Sequence, residues 1–343
     1  MRRLDAALEL WGRDGAFQDN LRSAVREGGV KPPHSKALRA FSWFLGAPQP
    51  TGMSDCTEGA GLTPDSNAVH PHRFIPFVIF TVSGLLLYEP AFFAFNRSGW
   101  FPIATFVGIP LLFAAVLASL RRSRRFLHYA PACFSFWMAS VALFFLWLLD
   151  ESPARWLGLH PESPPGRAIG KLADVAVMMV TFTILTRLFR TSFGSIYLQK
   201  GRLRLGLAIG LIGFAGMATF GVLEARALGI GMSRILGWTP WLLIFVLANG
   251  FFEELMFRGV FLKKFEPLAG THLSNLATAL VFAIGHAGVT YTSSILPFVG
   301  ITFVFALVAG FVMQKTEAVW GSALFHAGAD VVIMIGIFAG VKT

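Results

Sequence analysis

Charge is what this chain has least of. Only 14% of its 343 residues are Asp, Glu, Lys or Arg, against roughly a quarter in a soluble domain. So little charge excludes an ordinary water-soluble globule as a description of the whole. Cysteine is nearly absent as well. Cys56 lies in a polar stretch and Cys133 in an apolar run, which leaves no disulfide framework and no cysteine-built metal site. The HExxH pair of helical zinc hydrolases does not occur. The first residues, MRRLDAALELWGRDG, lack the apolar core of a signal peptide.

Long apolar runs take the place of charge. Hydrophobic residues make up 55% of the chain and the mean hydropathy is +0.61. Runs of about 20 residues, each matched to a ~30 Å hydrocarbon core, fall near 74–95, 101–119, 131–149, 171–190, 204–224, 241–263, 273–291, 294–313 and 317–339. The expectation is an all-α fold: a polytopic transmembrane bundle of about nine helices, or eight if one run falls short. The 35 phenylalanines read most simply as lipid-facing bulk. Asp174 reads as a helix-start residue.

The net charge of +10 follows the loops. Arg121, Arg122, Arg124 and Arg125 come after the second run. Arg187, Arg190, Lys200, Arg202 and Arg204 surround the end of the fourth, Lys263 and Lys264 follow the sixth, and Lys315 follows the eighth. The intervening loops are poorer in Lys and Arg. This bias puts the N-terminus and the even-numbered loops in the cytoplasm and the C-terminus outside, as expected for a cell inner (plasma) membrane. It also explains the positive charge without nucleic acid, which leaves the lipid bilayer as the first partner. Residues 1–72 read as an amphipathic and flexible cytoplasmic region, 73–150 as a three-helix membrane extension, and 171–340 as the core that carries chemistry. Nothing in the sequence fixes the oligomeric state.

Within the apolar runs the deeply placed ionisable groups concentrate in three. The sixth holds Glu253, Glu254 and Arg258, the seventh His286, and the ninth His326 and Asp330. A charged group at bilayer depth costs about 2.5–3.5 kcal/mol on insertion scales, so such groups mark function by default. Counted along their helices, these groups all lie roughly 14–20 Å from the cytoplasmic end, although the runs enter from opposite sides. His326 and Asp330 share a face at four residues' spacing, as do Glu254 and Arg258, which can pair. Glu253 then points about 100° away, toward the histidines. Asn249 lies on its face and can orient water or backbone, and Phe282, four before His286, can wall the site. A carboxylate beside two imidazoles is a water-activating set, with Glu253 as general base. His326 with Asp330 can bind a developing oxyanion.

Three motifs now stand in order: EELMFR (Glu253–Arg258), FAIGH (Phe282–His286) and HAGAD (His326–Asp330). They resemble the EExxxR, FxxxH and Hxxx[N/D] motifs of the CAAX protease and bacteriocin-processing intramembrane proteases, which include the type II CAAX prenyl endopeptidases. The resemblance covers residues 171–340. It implies an intramembrane glutamate-dependent endopeptidase in which Glu253 activates water with His286, His326 and Asp330 stabilise the oxyanion, and Glu254 and Arg258 support them. No cofactor is implied. The partner is a membrane-associated or lipid-anchored peptide or protein substrate, reaching the site from the cytoplasmic side or laterally. An ionised Asp330 would oppose an oxyanion, so it must be protonated or act through His326.

Other readings of the same residues remain. Glu253, His286 and His326 are a possible open zinc set for a membrane hydrolase. A transporter or proton relay also places ionisable groups at mid-membrane, and a non-catalytic scaffold of the same family would keep the helices. Structurally, the same groups could form a buried ion-pair network.

Overall fold

The computed structural model describes residues 71–95, 97–150 and 152–340, so nearly all of the N-terminal region expected over 1–72 lies outside it. The described residues form helices and turns only. In chain order the helices are α1 (Pro71–Phe95), α2 (Trp100–Arg122), α3 (Ala130–Leu149), the short α4 (Ser152–Trp156), α5 (Pro164–Leu188), α6 (Leu203–Ala227), α7 (Met232–Glu254), α8 (Leu262–Ala269), α9 (Thr271–Gly285), α10 (Ile295–Thr316) and α11 (Val319–Ala339).

Eight stretches are long and apolar enough to cross a membrane, with α7 and α8 counted as one. The exception is α9, whose 15 residues span about 22 Å at 1.5 Å per residue. It still reverses the chain. It runs antiparallel to α10, with Thr271 O accepting from Gln314 Nε2 at one end and His286 beside Phe298 at the other. The expected seventh run overshoots because Gly288, β-branched residues and serines follow His286. The helix gives way to a tight turn at His286–Gly288 and an extended Val289. The fourth run starts earlier than expected, at Pro164. Ser163 caps it by accepting from Gly166 N, and two prolines fill its first positions. Asp174 is therefore well inside α5 rather than at its start, and it pairs with Lys171 at 3.0 Å.

The basic loops gather at one end of the bundle. Arg121 stands over the Phe189 ring at 4.9 Å. Lys263 and Lys264 each donate at 2.8 Å, to Gly194 O and Ser195 O. Arg202 N donates to Thr316 O at 2.7 Å.

Helices α1–α3 are not set apart from the rest, and all described residues fall in one contact unit. Tyr88 Oη donates to Met256 O at 2.8 Å and Ser135 Oγ to Val260 O at 2.6 Å. Phe80 stacks on Phe265 with ring centroids 3.9 Å apart, and Phe136 meets both Phe261 and Phe265. Many phenylalanines expected to face lipid thus form an aromatic seam between α1, α3 and α8. Offset and edge-on ring packing makes such a seam directional as well as apolar.

On the other side, α6 lies along α11 with glycines at the closest approach. Lipid supplies no hydrophobic drive for helix association, so membrane helices gain stability from close backbone approach at small residues. Gly206 and Gly210, a GxxxG pair, meet Gly321, and Gly221 meets the Val332 backbone. A Cβ added at Gly321 would come within 2.8 Å of the Gly206 backbone, whereas one added at Gly216 meets nothing within 4 Å. Gly321→Val is expected to destabilise the fold by about 1–3 kcal/mol, the usual range for overpacking. Gly216→Ala is the near-neutral control. Equilibrium unfolding in mixed micelles measures both.

Candidate active site

The crossing of α7 with α11, and the end of α9, bring the motifs together. Helix α7 crosses α11 antiparallel, and Gly250 lets its backbone reach the Ala323 carbonyl and the Ala327 amide. That approach sets His326 and Asp330 beside the last turn of α7. Helix α9 delivers His286 from its C-terminal end. After Glu254 the chain makes one π turn, Leu255–Gly259, closed by Val260 N to Leu255 O at 3.1 Å. Such turns shift the helical phase and recur at functional sites.

Two of the expected roles meet in one group of contacts. Glu253 Oε2 lies 3.5 Å from His326 Nε2 and 4.0 Å from His286 Nε2. This oxygen is buried and takes no hydrogen bond from a protein donor. His286 Nδ1 is 2.8 Å from the Phe282 carbonyl oxygen. It therefore carries a proton and donates, which leaves Nε2 with a lone pair toward Glu253. Phe282 packs against both histidines: its ring lies 4.4 Å from that of His286, edge-on to His326 at 5.6 Å, and under the Arg258 guanidinium at 4.4 Å.

The pairing of Glu254 with Arg258 is present, and it extends further than the sequence indicates. Both side chains are fully buried. Glu254 Oε1 accepts from Arg258 Nη1 and also faces His326 Nδ1 at 2.9 Å. Arg258 Nε donates to Ala306 O on α10 at 3.3 Å. Glu254 thus orients the histidine as well as neutralising the arginine. Asn249 has a partner that the sequence does not indicate: its amide donates to Asp330 Oδ2 at 3.0 Å and so holds the second acid. Asp330 Oδ1 in turn is 3.7 Å from His326 Nε2. Ser322 donates to the Val319 carbonyl.

A cavity of about 540 Å³ reaches this cluster, within the usual range for ligand sites. Glu253 and His286 line it, while His326 and Asp330 stand behind them. Side-chain exposure agrees: 20% and 21% for the first pair, 5% and 10% for the second. The inner wall is apolar and aromatic, with Tyr88 and Phe92 from α1, Leu143 and Leu146 from α3, and Phe252 and Phe257 beside Glu253. The rim is polar: Asp150, Glu162, Arg167, Lys171, Asp174 and Tyr291. Lys171 spans rim and wall, paired to Asp174 and 4.7 Å over the Phe252 ring. Sequence reasoning assigned no role to Lys171, Tyr291 or Tyr88. Lys171 lies near the start of an apolar run, but it carries no motif that points to Glu253.

Among the described residues, no group of three or more His, Cys, Asp and Glu side chains is arranged to hold a metal ion. Of the zinc alternative's three residues, His326 has Nδ1 committed to Glu254, and both Nε2 atoms approach a single oxygen of Glu253.

Residues 235–332 match the family model of the Rce1-like type II CAAX prenyl endopeptidases. The matched stretch runs from within α7 into α11 and contains Asn249, Glu253, Glu254, Arg258, Phe282, His286, His326 and Asp330. No curated protein and no solved structure matches the chain.

Proposed function

We propose that this chain, whose residues 235–332 match the family model of the Rce1-like type II CAAX prenyl endopeptidases, is an integral membrane endopeptidase with Glu253 as its general base. One observation carries the reading. A buried carboxylate oxygen without a protein donor, on a glutamate that lines a cavity, is faced by the Nε2 atoms of two histidines at 3.5 and 4.0 Å.

The geometry suits water activation. A water between Glu253 Oε2 and His286 Nε2 donates a hydrogen bond to each, leaving an oxygen lone pair directed at a carbonyl in the cavity. As the water oxygen bonds to that carbon, its proton passes to Glu253. The former carbonyl oxygen becomes an oxyanion, and His326 Nε2–H, between Glu253 and Asp330, is the donor to it. Asp330 is held by Asn249 and acts through His326. Collapse of the tetrahedral species breaks the C–N bond, and Glu253 returns its proton to the leaving nitrogen. Positioned acid–base groups of this kind contribute about 10²–10⁴-fold, and an oxyanion donor about 10²–10³-fold.

The apolar wall suits a substrate with an apolar or lipid-borne portion, with the peptide backbone toward the polar rim. The experiment compares membrane-associated peptides from cells carrying the intact chain with those carrying Glu253→Ala at equal abundance. A peptide that is cut only with the intact chain supports the reading. Identical peptide sets would overturn it. Purified enzyme treated with a chelator separates the two water-activating mechanisms. Undiminished cleavage is expected, and loss of cleavage that zinc restores would give Glu253, His286 and His326 to a metal instead.

A further inference from the structure

The single hydrogen that His326 offers to an oxyanion is already shared. His326 Nε2 lies 3.5 Å from Glu253 Oε2 and 3.7 Å from Asp330 Oδ1. Glu253 gives up its charge when it takes the proton of the water, but Asp330 stays beside the same hydrogen. A second donor that is uncharged and faces the cavity would offset that competition.

Tyr291 is such a group. It follows the turn at His286–Gly288 and lines the cavity with Glu253 and His286. Its ring meets that of Phe298, in the first turn of α10, edge-on with centroids 5.6 Å apart. The Phe298 ring is in turn 6.2 Å from that of His286. Burial, with the charges of Glu253 and Asp330, holds the Tyr291 phenol well above its ordinary pKa. It therefore stays a neutral O–H donor throughout the working pH range. The carboxylates that act on the phenol are the same two that flank His326 Nε2. The hydroxyl thus shares the electrostatic surroundings of the point where the oxyanion forms. The other polar side chains of the lining suit this role less. Tyr88 Oη is committed to Met256 O, Lys171 to Asp174, and Arg167 to Glu162. Carboxylates in their ionised form only accept.

We infer that the Tyr291 hydroxyl donates a second hydrogen bond to the oxyanion formed at Glu253, alongside His326 Nε2–H. The phenol keeps its proton throughout. Its hydrogen bond strengthens as the carbonyl oxygen gains charge and relaxes when the C–N bond breaks. The inference rests on the proposed function for the reaction, and it adds a catalytic residue that lies outside the three motifs.

The test compares the full chain with its Tyr291→Phe variant in proteoliposomes, on a peptide that the intact chain cuts and Glu253→Ala does not. In Tyr291→Phe, kcat is expected to fall about 10²–10³-fold, the usual cost of one oxyanion donor, with KM unchanged. A phosphinate analogue of the same peptide, tetrahedral at the scissile position, is expected to lose affinity for Tyr291→Phe by the same factor. Titration with saturating phosphinate counts the folded sites, so protein that fails to fold does not enter kcat. Wild-type kcat in Tyr291→Phe overturns the inference. A loss confined to KM also overturns it, because the phenol would then bind only the uncut substrate. A fall in kcat with phosphinate affinity unchanged overturns it as well, and assigns the phenol to the leaving nitrogen. Glu253→Gln, run alongside, separates this inference from the proposed function. Wild-type cleavage by that variant would sink the general base, while phosphinate affinity still reads whether the phenol meets the tetrahedral group.

Discussion

Arg258→Met is expected to destabilise the folded chain by about 3–5 kcal/mol, the cost of leaving a buried charge without its partner. Arg258 and Glu254 have no exposed side-chain surface, so solvent cannot take over the lost contact. Glu254 would keep only His326 Nδ1, and Ala306 O would lose its donor. The Phe282 ring would lose the guanidinium 4.4 Å away. The double variant Glu254→Gln/Arg258→Met is expected to recover much of the loss, because it removes both charges and leaves an amide that can still accept from His326. Equilibrium unfolding of the single and double variants in mixed micelles checks this. A double variant no more stable than Arg258→Met would mean that the pair is not the source of the loss.

Glu253→Gln is expected to lower cleavage by about 10²–10⁴-fold with little change in stability. The amide keeps the shape of the carboxylate but cannot take a proton from water. His286→Ala removes the second acceptor for that water and should cost a similar factor in kcat. Asn249→Ala acts one contact further away, through Asp330 and then His326, so a smaller loss is expected. Cleavage by purified variants in proteoliposomes measures the order, with unfolding as the control for stability. Wild-type turnover by Glu253→Gln would remove this residue from the chemistry. Activity in Asn249→Ala as low as in Glu253→Gln would show that Asp330 takes a direct part.

The grouping of Glu253, His286, His326 and Asp330 was legible in the sequence. Three helices entered from opposite sides place ionisable residues at one level, and helical spacing gives each a face. The second bond of Glu254 was not legible. It depends on the crossing of α7 and α11, set by Gly250 against Ala323 and Ala327, and glycines there look like those of any membrane helix. The π turn after Glu254 was hidden as well, since LMFRG carries no local mark of it. The contribution of α1 and α3 was missed for a different reason. Their side chains in the cavity wall are Tyr, Phe and Leu, which a composition-based reading assigns to lipid.

The shortness of α9 bears on where the reaction obtains its water. A 15-residue helix falls about 8 Å short of a ~30 Å hydrocarbon core. A short hydrophobic span is accommodated by thinning the bilayer around it. On this reading the chain after α9, with Gly288, Thr290, Tyr291 and Thr292, lies nearer mid-membrane than the ends of the longer helices, and a bilayer thinned there would bring water toward His286 and Glu253. Under the proposed function, the missing turn and a half of helix would matter to hydrolysis as much as the acid that uses the water.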